Sequence, residues 1–362
     1  MATSITLKEL NMELVKNALK SRESATKNDI SNSTGLSVAT CGNILRELLI
    51  TGEVLEIDHA ESTGGRPSRQ FVYNKNFSYV LSLYIKIEFN STELFYSVSD
   101  LLGEIIDEKF IKHQSIKIAE LDKLIEFLYD KYPQIKVISF GIPGIVKDGI
   151  IERAHCSDVL KNLNFSEEFQ NKFDEYIISE NDILSELNLF EHLKKKYDIE
   201  IVIENDINCA ALGYYNKKNL SEKDSIVYVY FPSDIFPGSG LIINGKIHYG
   251  YTNFAGEVSF LPDKNEIDEE KMEWKNRDLF AQYVSNIIIS IDCIVNPKII
   301  VISGPKFTDS IYNSIEKKVR LHLPEKHIPI LILEKDYHES YVNGLITLAL
   351  EKLACNIKII EI

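Results

Sequence analysis

Residues Ser37 to Asn74 read SVATCGNILRELLITGEVLEIDHAESTGGRPSRQFVYN. Within them Cys41, Ile44, Leu45 and Leu48 recur at the i, i+3, i+4, i+7 spacing of a helix with one buried face. That leaves Ala39, Asn43 and Arg46 on the opposite side, flanked by Thr40 and Gly42. Gly52 can close the helix, and two short apolar runs then flank a Gly64-Gly65-Arg66-Pro67 tip, which predicts a β-hairpin. Upstream, Thr26 can cap a short helix in which Ile30 is buried, and Thr34-Gly35-Leu36 supplies a turn. Thr6 and Glu9 have the spacing of a capping box, and Leu7, Leu10, Leu14 and Ala18 predict the apolar stripe of a first helix. Three helices followed by a hairpin make a winged helix-turn-helix, so a DNA-binding head is expected over residues 1–76.

The residue types on its outer face fit that chemistry. An Asn in the major groove can bond adenine at two points, Thr and Ala methyl groups can touch the thymine methyl, and Arg can take guanine or phosphate. The expected DNA-facing set is therefore Ser37, Ala39, Thr40, Asn43 and Arg46 on the helix, with Arg66 and Arg69 on the wing. A flexible tip lets such guanidinium groups reach phosphates or a narrow minor groove. Gly42 costs the helix about 1 kcal/mol relative to Ala, which points to another surface approaching closely there. The weighed alternative is a protein-binding winged helix with incidental arginines. Charge does not separate the two: residues 1–75 carry nine Lys plus Arg and nine Asp plus Glu, which leaves 31 against 45 and the whole net charge of −14 to the rest. An acidic body repels DNA, so contact must be local and salt-sensitive.

The 362 residues are 44% hydrophobic, without a basic start followed by an apolar stretch, and predict a soluble cytoplasmic protein of two or three domains with no membrane partner. Cys41, Cys156, Cys209, Cys293 and Cys355 are scattered and odd in number, as expected of reduced core thiols. Beyond Asn74 strands and helices alternate. A meander is expected over 79–87, 92–98 and 105–111, a helix over 119–132, and strands around 137–140 and 199–203. A helix through Ala210 and Tyr214, strands around 225–231 and 240–243, and a long apolar helix over 279–294 follow. The last elements are a strand at 299–303, a helix through 312–321, a strand at 328–333 and a helix over 342–353. Such a pattern predicts a two-lobed α/β body over residues 77–362, with ligands in the cleft between lobes.

Several ordered motifs carry a resemblance. Behind the GGRP head stand GIPGIVKDG (141–149), ENDINCAALG (204–213), INGKIHYG (243–250) and AGE (255–257). Together they resemble the ROK family of repressors, open reading frames and kinases, and the likeness covers nearly the whole chain. It implies an actin-like sugar kinase fold of the ribonuclease H-like type. Members with a winged helix-turn-helix head are transcriptional regulators, often of sugar catabolism, whereas those lacking it are sugar kinases. The implied sugar site uses Asn205, Asp206 and Glu257, with Gly144 beside them. Carboxylates accept hydrogen bonds from adjacent hydroxyls, and an amide both donates and accepts. In the kinases the residue matching Asp206 is the general base. The bland reading is that Asn205 and Asp206 only cap the helix that begins there.

The departures from the kinase pattern are informative. The family's first phosphate loop is DxGGT, and counting back from the Asp100 turn places Glu88, Phe89, Asn90, Ser91 and Thr92 on it, without glycine. The second loop reads FPSDIFPGSG (231–240), where two prolines remove N–H donors and Phe231 and Phe236 are expected to obstruct approach. Adenine nucleotide binding is not expected, although Gly304 resembles the later nucleotide-side turn; a strand-ending Gly is equally well explained by backbone geometry. The family's zinc motif is absent as well: Phe260 stands where its His would be, and no cysteine follows before Cys293. His155 and His248 are read as ordinary surface or core residues. No cofactor and no metal are expected. The leading expectation is a DNA-binding regulator, a repressor, whose body senses a sugar or sugar derivative on a double-stranded operator as a homodimer or dimer of dimers. A regulator with a decayed pocket that acts by dimerisation or a protein partner is the alternative, and a sugar kinase that kept a head is the third.

Overall fold

The computed structural model describes residues 7–57, 69–88, 91–113, 118–147, 150–152, 188–197, 199–232, 237–261 and 277–354. The head contains α1 (Leu7–Lys20), β1 (Ala25–Thr26), α2 (Lys27–Thr34), α3 (Val38–Thr51), β2 (Val54–Ile57) and β3 (Gln70–Tyr73). Thr26 and Asp29 form a reciprocal capping box on α2, which ends at Gly35 in the left-handed region. Ser37 caps α3 by accepting from the Thr40 N–H, and Gly52 closes it. The strand order β1-β3-β2 makes a small antiparallel sheet under the helices. Cys41, Ile44, Leu45 and Leu48 are buried with Ile30, Val54 and Phe71. The stripe expected on α1 is corrected: Val15 and Leu19 face the core, whereas Leu7 is 74% and Leu14 39% exposed.

The body begins with β4 (Tyr79–Glu88), β5 (Ser91–Ser99), β6 (Ile105–His113), α4 (Ile118–Lys131), β7 (Ile135–Ile142) and a small hairpin of β8 (Ile145–Lys147) and β9 (Ile150–Glu152). Next come α5 (Asn188–Tyr197), β10 (Glu200–Asn205), α6 (Asp206–Lys217), β11 (Ile226–Tyr230), β12 (Gly238–Ile243) and β13 (Lys246–Ile247). The last elements are α7 (Arg277–Val295), β14 (Ile299–Ser303), α8 (Asp309–His322), β15 (Ile330–Glu334) and α9 (His338–Ala354). Two five-stranded mixed sheets result, ordered β10-β7-β4-β5-β6 and β13-β12-β11-β14-β15. The hairpin β8–β9, β13 and α5 are additions to the sequence reading.

Three apolar cores stack these elements into layers. Leu121, Ile125 and Leu128 of α4 and Leu193 of α5 cover the outer face of the first sheet. Phe280, Val284, Ile288 of α7 and Ile311, Ile315, Val319 of α8 cover the outer face of the second. Between the sheets lie α6 and α9, whose residues share one core with Val80 and Val137 of the first sheet and Ile226, Ile242 and Val301 of the second. This is the two-lobed actin-like architecture. α7 is apolar and long enough to cross a membrane by composition, but half of that stretch is buried in this packing.

At the crossing of α6 and α9 the backbones touch. A Cβ on Gly213 would lie 1.8 Å from the Ser340 carbonyl oxygen, and one on Gly344 would lie 1.9 Å from that of Cys209. Neither backbone can yield without separating the helices. Gly213→Ala and Gly344→Ala should therefore each destabilise the fold by about 1–3 kcal/mol or more, read as a lowered urea midpoint. A midpoint unchanged in both variants would show that the helices cross less tightly.

Candidate functional site

The head presents the expected surface. Ala39, Asn43 and Arg46 are exposed on α3, and Thr40 and Gly42 are half-buried beside them. Arg46 Nη1 donates to Asn43 Oδ1 at 3.4 Å, a long contact that a stronger acceptor can displace. Ser37 is engaged as the cap, its Oγ also 2.8 Å from Thr40 Oγ1. On the wing, Arg69 is not a free guanidinium: its Nε lies 3.0 Å from Glu56 Oε1 and its Nη1 3.3 Å from Oε2, a pair across the hairpin. Gly64, Gly65, Arg66 and Pro67 lie outside the described residues, as do Thr6, Cys156, His155 and Cys355.

The second site forms where β10 ends and α6 begins. Asn205 is the N-cap, its Oδ1 accepting from the N–H groups of Ile207 and Asn208, both at 2.9 Å. Its Nδ2 donates to the Gly144 carbonyl at 2.9 Å and to Asp206 Oδ1 at 3.0 Å. Capping and tying the Gly144 loop are thus one residue's work. A Cβ placed on Gly144 would meet nothing within 4 Å, so this loop borders open space beside the Asn205 amide. Asp206 Oδ1 also accepts from the Ile207 N–H at 2.9 Å. Burial, with the nearby charge of Glu257 added, pushes the Asp206 carboxyl up to about 7, against the opposing pull of its backbone hydrogen bonds. Burial likewise raises Glu257, which heads a single 3₁₀ turn over Val258–Phe260. The structure therefore brings Asn205, Asp206, Glu257 and Gly144 to one place.

Glu204, the first residue of the ENDINCAALG motif, braces the site. It is buried; its Oε1 accepts from the Asn205 N–H at 2.8 Å and Asn208 Nδ2 at 3.0 Å, and its Oε2 accepts from the Tyr249 hydroxyl at 2.7 Å. Asn253 ties the loop before Ala255 to β8 by donating to the Val146 carbonyl at 2.7 Å. The Tyr341 hydroxyl lies close to the Gly141 backbone, buried and without a hydrogen-bond partner among the described residues. Alternation along β10 could have placed Glu204 on the inward face; nothing in the sequence links it to Tyr249.

Two further expectations, at Phe231 and at Cys293, are corrected. Phe231 does not obstruct the second loop: its ring is buried among Phe280, Tyr283 and Phe307 at centroid distances of 5.4–6.4 Å. Phe236 and residues 233–235 lie outside the described residues. Gly304 needs no ligand to explain it, since a Cβ there would lie 2.1 Å from the Phe231 carbonyl oxygen. Of the residues set on the first phosphate loop by the resemblance, Glu88 and Ser91 are register partners at the ends of β4 and β5, and Phe89 and Asn90 lie outside the described residues. Phe260 packs its ring 5.1 Å from that of Phe254, His248 is exposed, and Cys293 is exposed where a core thiol was expected. Among the described residues no group of three or more His, Cys, Asp or Glu could hold a metal ion.

A winged helix-turn-helix head thus accompanies a two-lobed actin-like body with a polar site at the start of α6. Residues 183–266 match the model of the ROK family. The chain is 26% identical over 267 residues to the xylose repressor of Caldicellulosiruptor bescii and 23% identical over 288 residues to that of Bacillus subtilis. These alignments cover 70% and 77% of this chain but only 58% and 66% of those repressors. A ROK family transcriptional regulator described as a homolog of the E. coli MLC protein superposes with a TM-score of 0.65 at 17% identity, over 96% of this chain and 97% of its own. A match of that extent takes in the head. The ROK hexokinase of Thermus thermophilus superposes over 76% of this chain and 99% of its own, with a TM-score of 0.54 at 14% identity.

The raised Asp206 carboxyl has a measurable consequence. The native protein holds a proton there that the unfolded chain has released, so this group's contribution to stability falls as pH rises from its ordinary value of 3.8 toward 7, then levels off. Asp206→Asn should flatten that decline in urea titrations compared between about pH 5 and pH 7. An equally steep decline in the variant would mean that the carboxyl is not perturbed.

Proposed function

We propose that this chain is a DNA-binding transcriptional repressor whose body binds a sugar without phosphorylating it. The exposed face of α3 carries this reading: Ala39, Asn43 and Arg46 stand out from a helix capped at both ends over a closed core. That arrangement is rigid enough to read base edges. On this reading residues 1–76 are the DNA-binding head and residues 77–362 the body. Paired heads would meet half-sites about 34 Å apart or at multiples of that, so a dimer acts on the operator.

The site at α6 supplies the sensor. Asn205, Asp206 and Glu257 give the mixture of donors and acceptors that adjacent hydroxyls need. The similarity to proteins named xylose repressors makes a pentose the first ligand to try. Absence of glycine from residues 88–92, and Pro232 and Pro237 before β12, support sensing over phosphoryl transfer, because a phosphate cradle needs closely approaching N–H donors. Phe260, in place of the His implied by the resemblance, favours the second reading, a body that only dimerises.

A contact path connects site and head. Leu101, in the turn after β5, packs against the head core, and its N–H donates to the Lys75 carbonyl at 3.0 Å. Asp100 braces the turn by accepting from the N–H groups of Leu102 and Glu104, at 2.9 and 3.0 Å, and Lys75 Nζ lies 3.2 Å from its other oxygen. Gly103 in that turn rests on Ile346 and Leu350 of α9, which crosses the helix carrying Asn205 and Asp206. A shift of α6 on sugar binding is thereby passed to the head.

A thermal-shift panel of D-xylose, other pentoses and hexoses tests the sensor. A sugar at 100 times its dissociation constant should add about 2.7 kcal/mol to the wild type and nothing comparable to Asp206→Asn. No stabilisation by any sugar would favour the dimerising body, and ADP release from ATP with any of them would overturn the reading. Gly42→Ala tests the DNA face. Its nearest neighbours would be Lys27 side-chain atoms at 3.6–3.8 Å, so the added methyl fits the fold and should raise stability by up to about 1 kcal/mol while weakening DNA binding. Undiminished DNA binding in that variant would show that α3 does not approach the duplex at this point.

A further inference from the structure

The surface around α3 holds a cation that the spacing of that helix does not reveal. Lys27 opens α2, yet its side chain lies against α3 at Gly42. A Cβ built on Gly42 would be 3.8 Å from Lys27 Cδ and Cε and 3.6 Å from Nζ. The ammonium is also 5.9 Å from the centre of the Phe71 ring, which backs it from the core side. Lys27 is half-buried, and no carboxylate among the described residues lies within ion-pair range of it.

Its neighbours in the head are differently placed. Lys8 pairs with Glu47 at 2.8 Å, and Lys16 pairs with Glu53 at 2.5 Å and with Glu13 at 3.4 Å. Lys20 lies 5.0 Å over the Tyr73 ring with Glu13 and Glu53 in electrostatic reach. Arg69 is held by Glu56. Those charges are answered within the fold. Lys27 has no carboxylate partner among the described residues, although holding a long side chain half-buried costs rotamer freedom and hydration.

Because residue 42 carries no side chain, α3 raises nothing beside the ammonium against a surface docking on Ala39, Asn43 and Arg46. A duplex seated on α3 brings base edges to the helix itself and backbone phosphates to the elements flanking it. Lys27 flanks the helix. We propose that Lys27 is a phosphate-contacting residue of the DNA interface, which fixes the depth and register at which α3 sits in the groove. The assignment rests on the DNA-binding reading given above and adds to it a residue on a different helix.

The experiment uses the full-length protein with a duplex that the wild type retains from a randomised pool, and a scrambled duplex of equal length. Dissociation constants are read by fluorescence anisotropy between about 50 and 200 mM salt, where each phosphate contact contributes about 0.9 to the slope of log K against log salt. Lys27→Gln should lower that slope by about 0.9 and weaken both duplexes by a similar factor, leaving their ratio unchanged. Lys27→Arg should restore the slope. Asn43→Ala should do the reverse, losing the preference for the retained duplex while keeping the slope. An unchanged slope in Lys27→Gln, or a loss confined to the retained duplex, would overturn the assignment while leaving DNA binding intact. A wild type that enriches no duplex would remove the DNA-binding reading itself, and this residue's role with it. Melting temperatures of the variants, expected to match the wild type, show that the head is folded in each comparison.

Discussion

The structure depends on a contact between two helix backbones. Where α6 crosses α9, Gly213 and Gly344 let each helix press on a carbonyl of the other, closer than any side chain permits. This pair is the middle layer of the body, and each sheet is attached to it. From the first sheet, the Tyr84 ring stacks on Tyr341 at 4.4 Å and its hydroxyl meets His338 Nδ1 at 2.6 Å. From the second, the Tyr228 hydroxyl donates to Glu334, whose other oxygen accepts from Ser340 Oγ at 2.9 Å. The polar site belongs to the same unit, since Asn205 and Asp206 open α6. Its geometry is therefore set by how the two lobes grip the central pair.

That placement gives the body a way to act on the head without catalysis. A ligand that shifts an equilibrium between two arrangements needs only a difference in affinity for them. The polar site lies at the start of α6, α9 crosses that helix, and the turn at Asp100–Glu104 rests on α9 while Leu101 reaches the head core. Each link is a packed or hydrogen-bonded contact rather than a long flexible tether. With the net charge of −14 carried outside the neutral head, the DNA binding proposed above would be confined to local cations of the head.

Much of this was legible in the residues. The buried and exposed faces of α3 followed from spacing alone, because a surface helix shows its periodicity directly. The cap at Asn205 followed from its residue type, and the gathering of Asp206, Glu257 and Gly144 was implied by the family resemblance. Other features depended on partners distant in sequence. On α1, leucines and other apolar residues occupy two adjacent stripes, and only the packing of α2 and α3 selects Val15 and Leu19 over Leu7 and Leu14. Phe231 looked like an obstacle beside a loop, yet a pocket of three aromatic rings draws it into the core. Arg69 looked free until the hairpin brought Glu56 opposite it, and the placing of Lys27 against Gly42 is made by the fold, with no signal in the spacing of either helix. The short helix α5 has a single fully buried anchor among its described side chains, Leu193, which is too faint a signal to read in advance.

The central claim, that the site at α6 and the face of α3 are coupled, is tested most directly by the affinity of the full-length protein for its retained duplex. That affinity is measured with and without a saturating sugar from the stabilising panel. Coupling of the usual size predicts a change of about 5-fold or more in one direction. Equal affinities in the two conditions would contradict the account, because the body would then bind its ligand without informing the head.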